Sequence, residues 1–169
     1  MHAAHRQWLA EHDALYAVLE GVLYLSTRIG TGVAPECRAA DFAQLRAIFV
    51  YLGNYPERVH HPREESTLFA SLGGRDAKLD ETIASLREHH ANSLANVVRM
   101  QHLVIRAELG GYAASVSLLE QCRQFVAAYF THIETEERDV LTRAETLLSG
   151  HEWACIASEL ALPGLVLPI

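Results

Sequence analysis

Three glycine-bearing breaks, RIGTGVAPE, LGGRD and ELGGYA, constrain this chain most, because the long stretches between them show no strand-like alternation. Four stretches result, roughly 2–29, 38–72, 76–108 and 113–148. Each repeats apolar side chains at spacings of three and four, which marks one buried helix face. In the first stretch that face holds Trp8, His12, Leu15, Leu19 and Val22; in the second, Phe42, Leu45, Phe49, Leu52, His60, Glu64 and Leu68. The third carries Leu79, Ile83, Leu86, Leu94 and Val97, and the fourth Leu118, Cys122, Phe125, Tyr129, His132, Glu136, Val140, Ala144 and Leu147. Long helices joined by short connections predict an all-α fold, an up-down-up-down antiparallel four-helix bundle. HEWACIASEL, after Gly150, predicts a short C-terminal fifth helix. Pro56 and Pro62 are expected to bend the second helix locally.

The 169 residues suit one domain, 1–169, large enough to bury a core without staples. A formal charge of −7 without a lysine- or arginine-rich run argues against nucleic acid or an anionic membrane as partner. No eighteen-residue apolar run is present, and no signal peptide is evident at the N-terminus. Cys37, Cys122 and Cys155 share no metal-binding spacing and read as reduced thiols, which points to the cytoplasm. The tail LALPGLVLPI is too short to span a bilayer and is expected to fold back over the core, with a homodimer through it left open.

The compositional anomaly is ten histidines. Several fall on the buried faces in a doubled pattern: EH at 11–12 precedes HHPREE at 60–65, and EH at 88–89 precedes HIETEE at 132–137. Residues four apart on a helix are neighbours, so His60 with Glu64 and His132 with Glu136 can each offer a nitrogen and an oxygen to a shared point. Counting from the glycine turns at about 1.5 Å per residue puts His60, His89 and His132 at one depth, but leaves His12 about 10 Å away from His60 on straight helices. Ionised carboxylates buried among imidazoles require compensation, and cations supply it. Six mixed nitrogen and oxygen donors exceed one tetrahedral zinc and suit two first-row ions sharing carboxylates.

Some positions stay open on spacing alone. His61 and Glu65 lie about 100° round the helix from His60 and Glu64, which favours an outer or exposed position. Of the adjacent pair, the repeat selects His89, whereas the apolar stripe runs through His90. His2, His5, His102 and His151 are expected to be exposed or capping, and Tyr55, Tyr112, Tyr129 and Cys122 to serve packing.

The set EH…HxxxEE…EH…HxxxEE resembles the hemerythrin-like HHE cation-binding family, in its small bacterial single-domain form, over about residues 5 to 148. The resemblance implies a non-haem di-iron centre (Fe2+/Fe3+), bridged by oxo, hydroxo or carboxylate groups, with zinc as a substitute. Its ligands would be His12, His60, Glu64, one of His89 and His90, His132 and Glu136. In iron-sensing relatives the position after the first histidine, here His61, can carry a further ligand. Members bind O2 or react with nitric oxide or peroxide, and some sense iron. The family resemblance therefore gives two functions: a protein binding or transforming a small diatomic or peroxide, and an iron- or oxygen-responsive module without turnover. Oxygen-carrying members have a fifth histidine and an aspartate in HxxxxD, whereas this chain has Glu136 in HxxxE, which weighs against reversible O2 storage. No protein acid or base is evident in the pattern.

Overall fold

A computed structural model describes residues 1–32 and 35–161, and for 35–37 the backbone alone. Residues 162–169 of the apolar tail and the Cys37 side chain lie outside the described residues. Helix α1 is Ala3–Thr31. The second helix, α2, starts as Pro35–Tyr55 and runs on unbroken through Pro56–His60, His61–Glu64, Glu65–Phe69 and Ala70–Leu72. A single helical run, Ala77–Thr135, is divided at Gly111 (φ 76°, ψ −160°) into α3 (77–110) and the first part of α4. Helix α4 continues through Glu136–Leu141 and Thr142–Leu147, and α5 is Gly150–Leu160. Among the described residues the left-handed conformation occurs at Gly32, Gly74 and Gly111, one per connection, where a β-carbon would clash with the backbone. Asp76 caps α3 by accepting from the Lys78 and Leu79 amides, and Ser149 with Glu152 forms a capping box on α5.

Two apolar clusters show the helices to be antiparallel. One joins the late part of α1 (Leu15 to Ile29), the early part of α2 (Phe42 to Leu52), late α3 (Val97 to Ala107) and early α4 (Leu118 to Ile133). The other joins the opposite ends, Trp8, Leu68, Leu79, Ile83, Val140 and Ala144, and is closed by Trp153, Ile156 and Leu160 of α5. Between the clusters lies a layer of buried polar side chains: His12, His60, His61, Glu64, His90, His132 and Glu136.

Three widened, π-helical turns flank that layer: Pro56–His60, Glu65–Phe69 and Glu136–Leu141. The two prolines therefore do not break α2. Without its own N–H each proline leaves an i−4 carbonyl free, and the helix accommodates this by widening, as where the His61 amide donates to the Pro56 carbonyl. From Leu52 to Leu72 one buried stripe runs through Leu52, Pro56, His60, Glu64, Leu68 and Leu72, every fourth residue, with His61, Thr67 and Phe69 buried beside it. Five α-turns take about 18 residues. Here the five steps take 20, and the two π-turns absorb the excess while keeping the stripe inward.

Two expected core positions are corrected, the first by the same effect. After the third π-turn the inward face passes through Leu148, not Leu147. On α3 the face runs Leu86, His90, Ser93, Val97, and Leu94 is 43% exposed.

Candidate metal centre

Each helix of the bundle sends imidazole or carboxylate donors into the polar layer. His12 comes from α1, His60, His61 and Glu64 from α2, His90 from α3, and His132 and Glu136 from α4; all are buried. They form two adjoining groups, His12, His60, Glu64 and Glu136, and His61, His90 and His132, each with one donor atom per residue within 4.8 Å of every other. The depth offset foreseen for His12 does not keep it away: its ring lies 5.3 Å from that of His60, and the first π-turn takes up one residue of the difference. Among the sequence candidates His89 alone falls outside both groups. It lies half-buried, its ring stacked on His132 at 4.3 Å.

Glu136 reaches both groups. Its Oε2 lies 3.5 Å from His12 Nε2, while Oε1 lies 2.9 Å from His132 Nε2 and 3.5 Å from His90 Nε2. Glu64 Oε2 is 3.8 Å from His90 Nε2 and also belongs to the His12 group. Two carboxylates thus span two sets of imidazoles. Despite these distances, both oxygens of Glu64, both of Glu136 and Nε2 of His12 lack an aligned hydrogen-bond partner. Buried donor and acceptor atoms left this way cost about 1–3 kcal/mol each, more when charged.

Outside this layer a second set of carboxylates takes the far side of the rings. Nδ1 of His60 is 2.8 Å from Glu11, Nδ1 of His12 3.0 Å from Glu137, and Nδ1 of His90 2.9 Å from Glu65. Each such contact places the N–H on Nδ1 and turns the Nε2 lone pair inward, the arrangement that metal-binding histidines use. Glu57 faces Nδ1 of His61 at 3.5 Å, beyond a good hydrogen bond, and is fixed by Ser93 Oγ at 2.6 Å and the Tyr129 hydroxyl at 3.0 Å. Of these supports, sequence spacing identified Glu65 as an outer residue. Glu11, Glu57 and Glu137 were missed, although Glu11 and Glu137 stand beside His12 and Glu136 in the doubled pattern. Glu57, four residues before His61, carried no comparable signal. Tyr129 is buried as packing required, yet its hydroxyl also serves this network.

Electrostatics follow from burial and crowding. Burial, then the Glu136 carboxylate, pushes Glu64 well above the usual carboxylate range. Burial acts the same way on Glu136, but His132, His90 and His12 outweigh it and hold Glu136 well below that range. Burial lowers His60, and lowers His61 to about 4, with the neighbouring imidazoles adding to it. Neutral imidazoles are the form that binds cations. His90 is the exception: burial is overcome by Glu136 and Glu65, and its value rises.

A further contact tests whether this donor set fits cations. His90 Nε2 and His132 Nε2 are 3.0 Å apart, and His90 already uses Nδ1 towards Glu65. The His90 Nε2 lone pair therefore faces His132 Nε2, and either a proton carried by His132 or a metal ion shared by the two would satisfy it. Two nitrogens bound at about 2.1 Å and at right angles on one ion would be about 3 Å apart. Both groups thus offer donors that would suit cations, with Glu64 and Glu136 within reach of each group. Of the remaining histidines, His2, His102 and His151 are not buried, but His5 departs from expectation. It is 8% exposed, bonded to Glu145 and stacked on Trp153, so it pins α1 to α4 and α5.

The family model for the hemerythrin HHE cation binding domain matches residues 3–144. No curated protein matches the chain.

Proposed function

The chain belongs to the hemerythrin HHE cation-binding family, and from that premise we propose that it is a non-haem di-iron protein that binds or reacts with O2, nitric oxide or peroxide. The observation that carries this reading is the set of unpaired Glu64 and Glu136 oxygens facing two groups of inward-turned imidazoles. His12 and His60 would hold one ion, His61, His90 and His132 the other, with the two carboxylates shared. Iron, rather than a closed-shell ion, is favoured by the mixed nitrogen and oxygen donors and by a donor count that leaves coordination positions open to a small ligand. When bound, the ions would supply redox and Lewis-acid chemistry. The chain's own contribution is to orient the rings through Glu11, Glu65 and Glu137 and to exclude water by the apolar clusters on either side. Zinc is a competitor on ligand type alone.

Metal analysis with optical spectroscopy tests this. The expected result is two irons per chain and a visible charge-transfer band in the oxidised form, perturbed by azide and, after anaerobic reduction, by nitric oxide or O2. A colourless protein after iron loading would refute the di-iron assignment. Metal-dependent melting without any response to these small molecules would favour the sensing module.

A further inference from the structure

Two clefts flank the His61, His90 and His132 group. The cleft between α3 and α4, about 200 Å³, has His89 and Tyr129 in its wall, and the His89 ring, stacked on His132, separates it from the cluster. The other lies between α2 and α3, is about 340 Å³, and reaches the cluster residues themselves. Its floor is made by His61 and His90 with Glu57, and its rim includes Glu65, Arg87 and Ala91. The two imidazoles are buried, Arg87 and Ala91 are exposed, and the Glu65 side chain is 39% exposed while bonded to His90 Nδ1. The lining thus grades from solvent to donor atoms along carboxylates, with the unpaired oxygens of Glu64 and Glu136 beyond. Among the described lining residues Arg87 is the one arginine or lysine; it lies over the Phe69 ring, which also stacks parallel to the ring of His90.

Building on the metal reading above, we infer that this α2–α3 cleft is the passage by which divalent cations reach the centre. Glu65 and Glu57 draw the cation in, Arg87 opposes it at the rim, and the chain's net charge of −7 adds a favourable field. A passage sets rates in both directions and leaves the equilibrium constant alone, whereas a residue that merely supports the ligands changes affinity.

That distinction gives the experiment. Metal-free full-length protein is mixed with cobalt(II), uptake is followed by its visible bands, release is followed with excess chelator, and affinity is measured by chelator competition. Ala91→Trp should slow uptake and release alike by on the order of tenfold with affinity unchanged. Asn92→Trp, at the next exposed position and outside the cleft lining, should behave as wild type. Arg87→Glu should speed uptake on the order of tenfold at low salt, an advantage that shrinks as added salt screens the rim. Wild-type uptake in Ala91→Trp, or a loss of affinity without slower uptake, would overturn the inference. If wild type takes up no cobalt at all, the metal reading itself falls and the passage with it, whereas normal uptake unaffected by the plug rejects only the passage.

Discussion

The two central carboxylates look equivalent in sequence, each the fourth residue after a histidine, yet their surroundings make them opposites. In the cation-free protein Glu64 is pushed well up by burial and by Glu136, so of the pair it holds a proton more readily. Glu136, despite its burial, is held ionised by His132, His90 and His12. Glutamine imitates a protonated acid. Glu64→Gln should therefore change the stability of chelated protein by less than about 1 kcal/mol. Glu136→Gln removes a buried charge from its imidazole partners and should cost roughly 3 kcal/mol. Both should lose cation binding. Urea denaturation with a chelator present separates the two, and equal losses would contradict the assignment. The imidazoles add a pH dependence. His61 and His89 are lowered to about 4, chiefly by burial, and His60 is lowered too, so below about pH 6.5 the unfolded chain binds protons that the folded one refuses. Stability should fall as pH drops from about 6.5 towards 4. His90, raised by Glu136 and Glu65, works the other way, its contribution present in acid and lost as pH rises. Glu64, also raised, works with His90, so three lowered imidazoles stand against two raised groups, and the urea midpoint of chelated protein should be lower at pH 5 than at pH 7. An unchanged midpoint would show that these rings are not neutral in the fold.

At the scale of helices, apolar spacing made the number of helices, their buried faces and the glycine breaks legible, because those depend on a period that a bundle must keep. His12, His60, Glu64, His132 and Glu136 were readable for the same reason: each sits in a stripe otherwise made of Leu, Phe, Val and Trp. What spacing could not supply was phase after a widened turn. His61 and Leu148 depend on where a helix gains or loses about 100°, and two of the three π-turns in α2 and α4 form without proline at their start; on α3 the apolar stripe did run through His90, and the doubled pattern was what pointed to His89. The outer carboxylates were illegible for another reason, since they act across the bundle, as Glu11 does on His60 and Glu137 on His12. The π-turn at Pro56–His60 can be tested alone. Arg58 is exposed within it, and deleting it should tighten the turn to α-helix and, by removing the residue that the widening absorbs, leave His60 and His61 in phase with the core. The far-UV circular dichroism should be unchanged and cobalt binding should stay at two ions per chain. A fall to one ion would show that the widened turn itself, beyond phase, places His61.

Over the whole molecule, the polar layer interrupts what would otherwise be one continuous core, with the apolar ends on either side packed around Phe49 and Phe125 at one end and Trp8, Phe69 and Trp153 at the other. Each end lowers the free energy of the fold by removing apolar surface from water, about 25 cal/mol per Å². The layer between does the reverse until its charges are matched, so cations should act as an internal staple joining two half-cores. A ligand that binds only the folded state stabilises by about 4 kcal/mol at a thousandfold excess over its dissociation constant. For a chain of this size each kcal/mol raises the melting point by about 2–4 °C. Loading should therefore raise Tm by on the order of 10 °C, reversibly on chelation. A truncation in an apolar end, such as Phe49→Ala, should cost about 3–5 kcal/mol in loaded and chelated protein alike, leaving the shift on loading intact. His132→Ala should differ, abolishing most of the shift on loading and also lowering the chelated Tm, because it leaves the buried Glu136 carboxylate without its nearest imidazole. If Phe49→Ala instead erased the response to metal, the two ends and the layer would be one cooperative unit, and the ions would be reporting on packing instead of joining it.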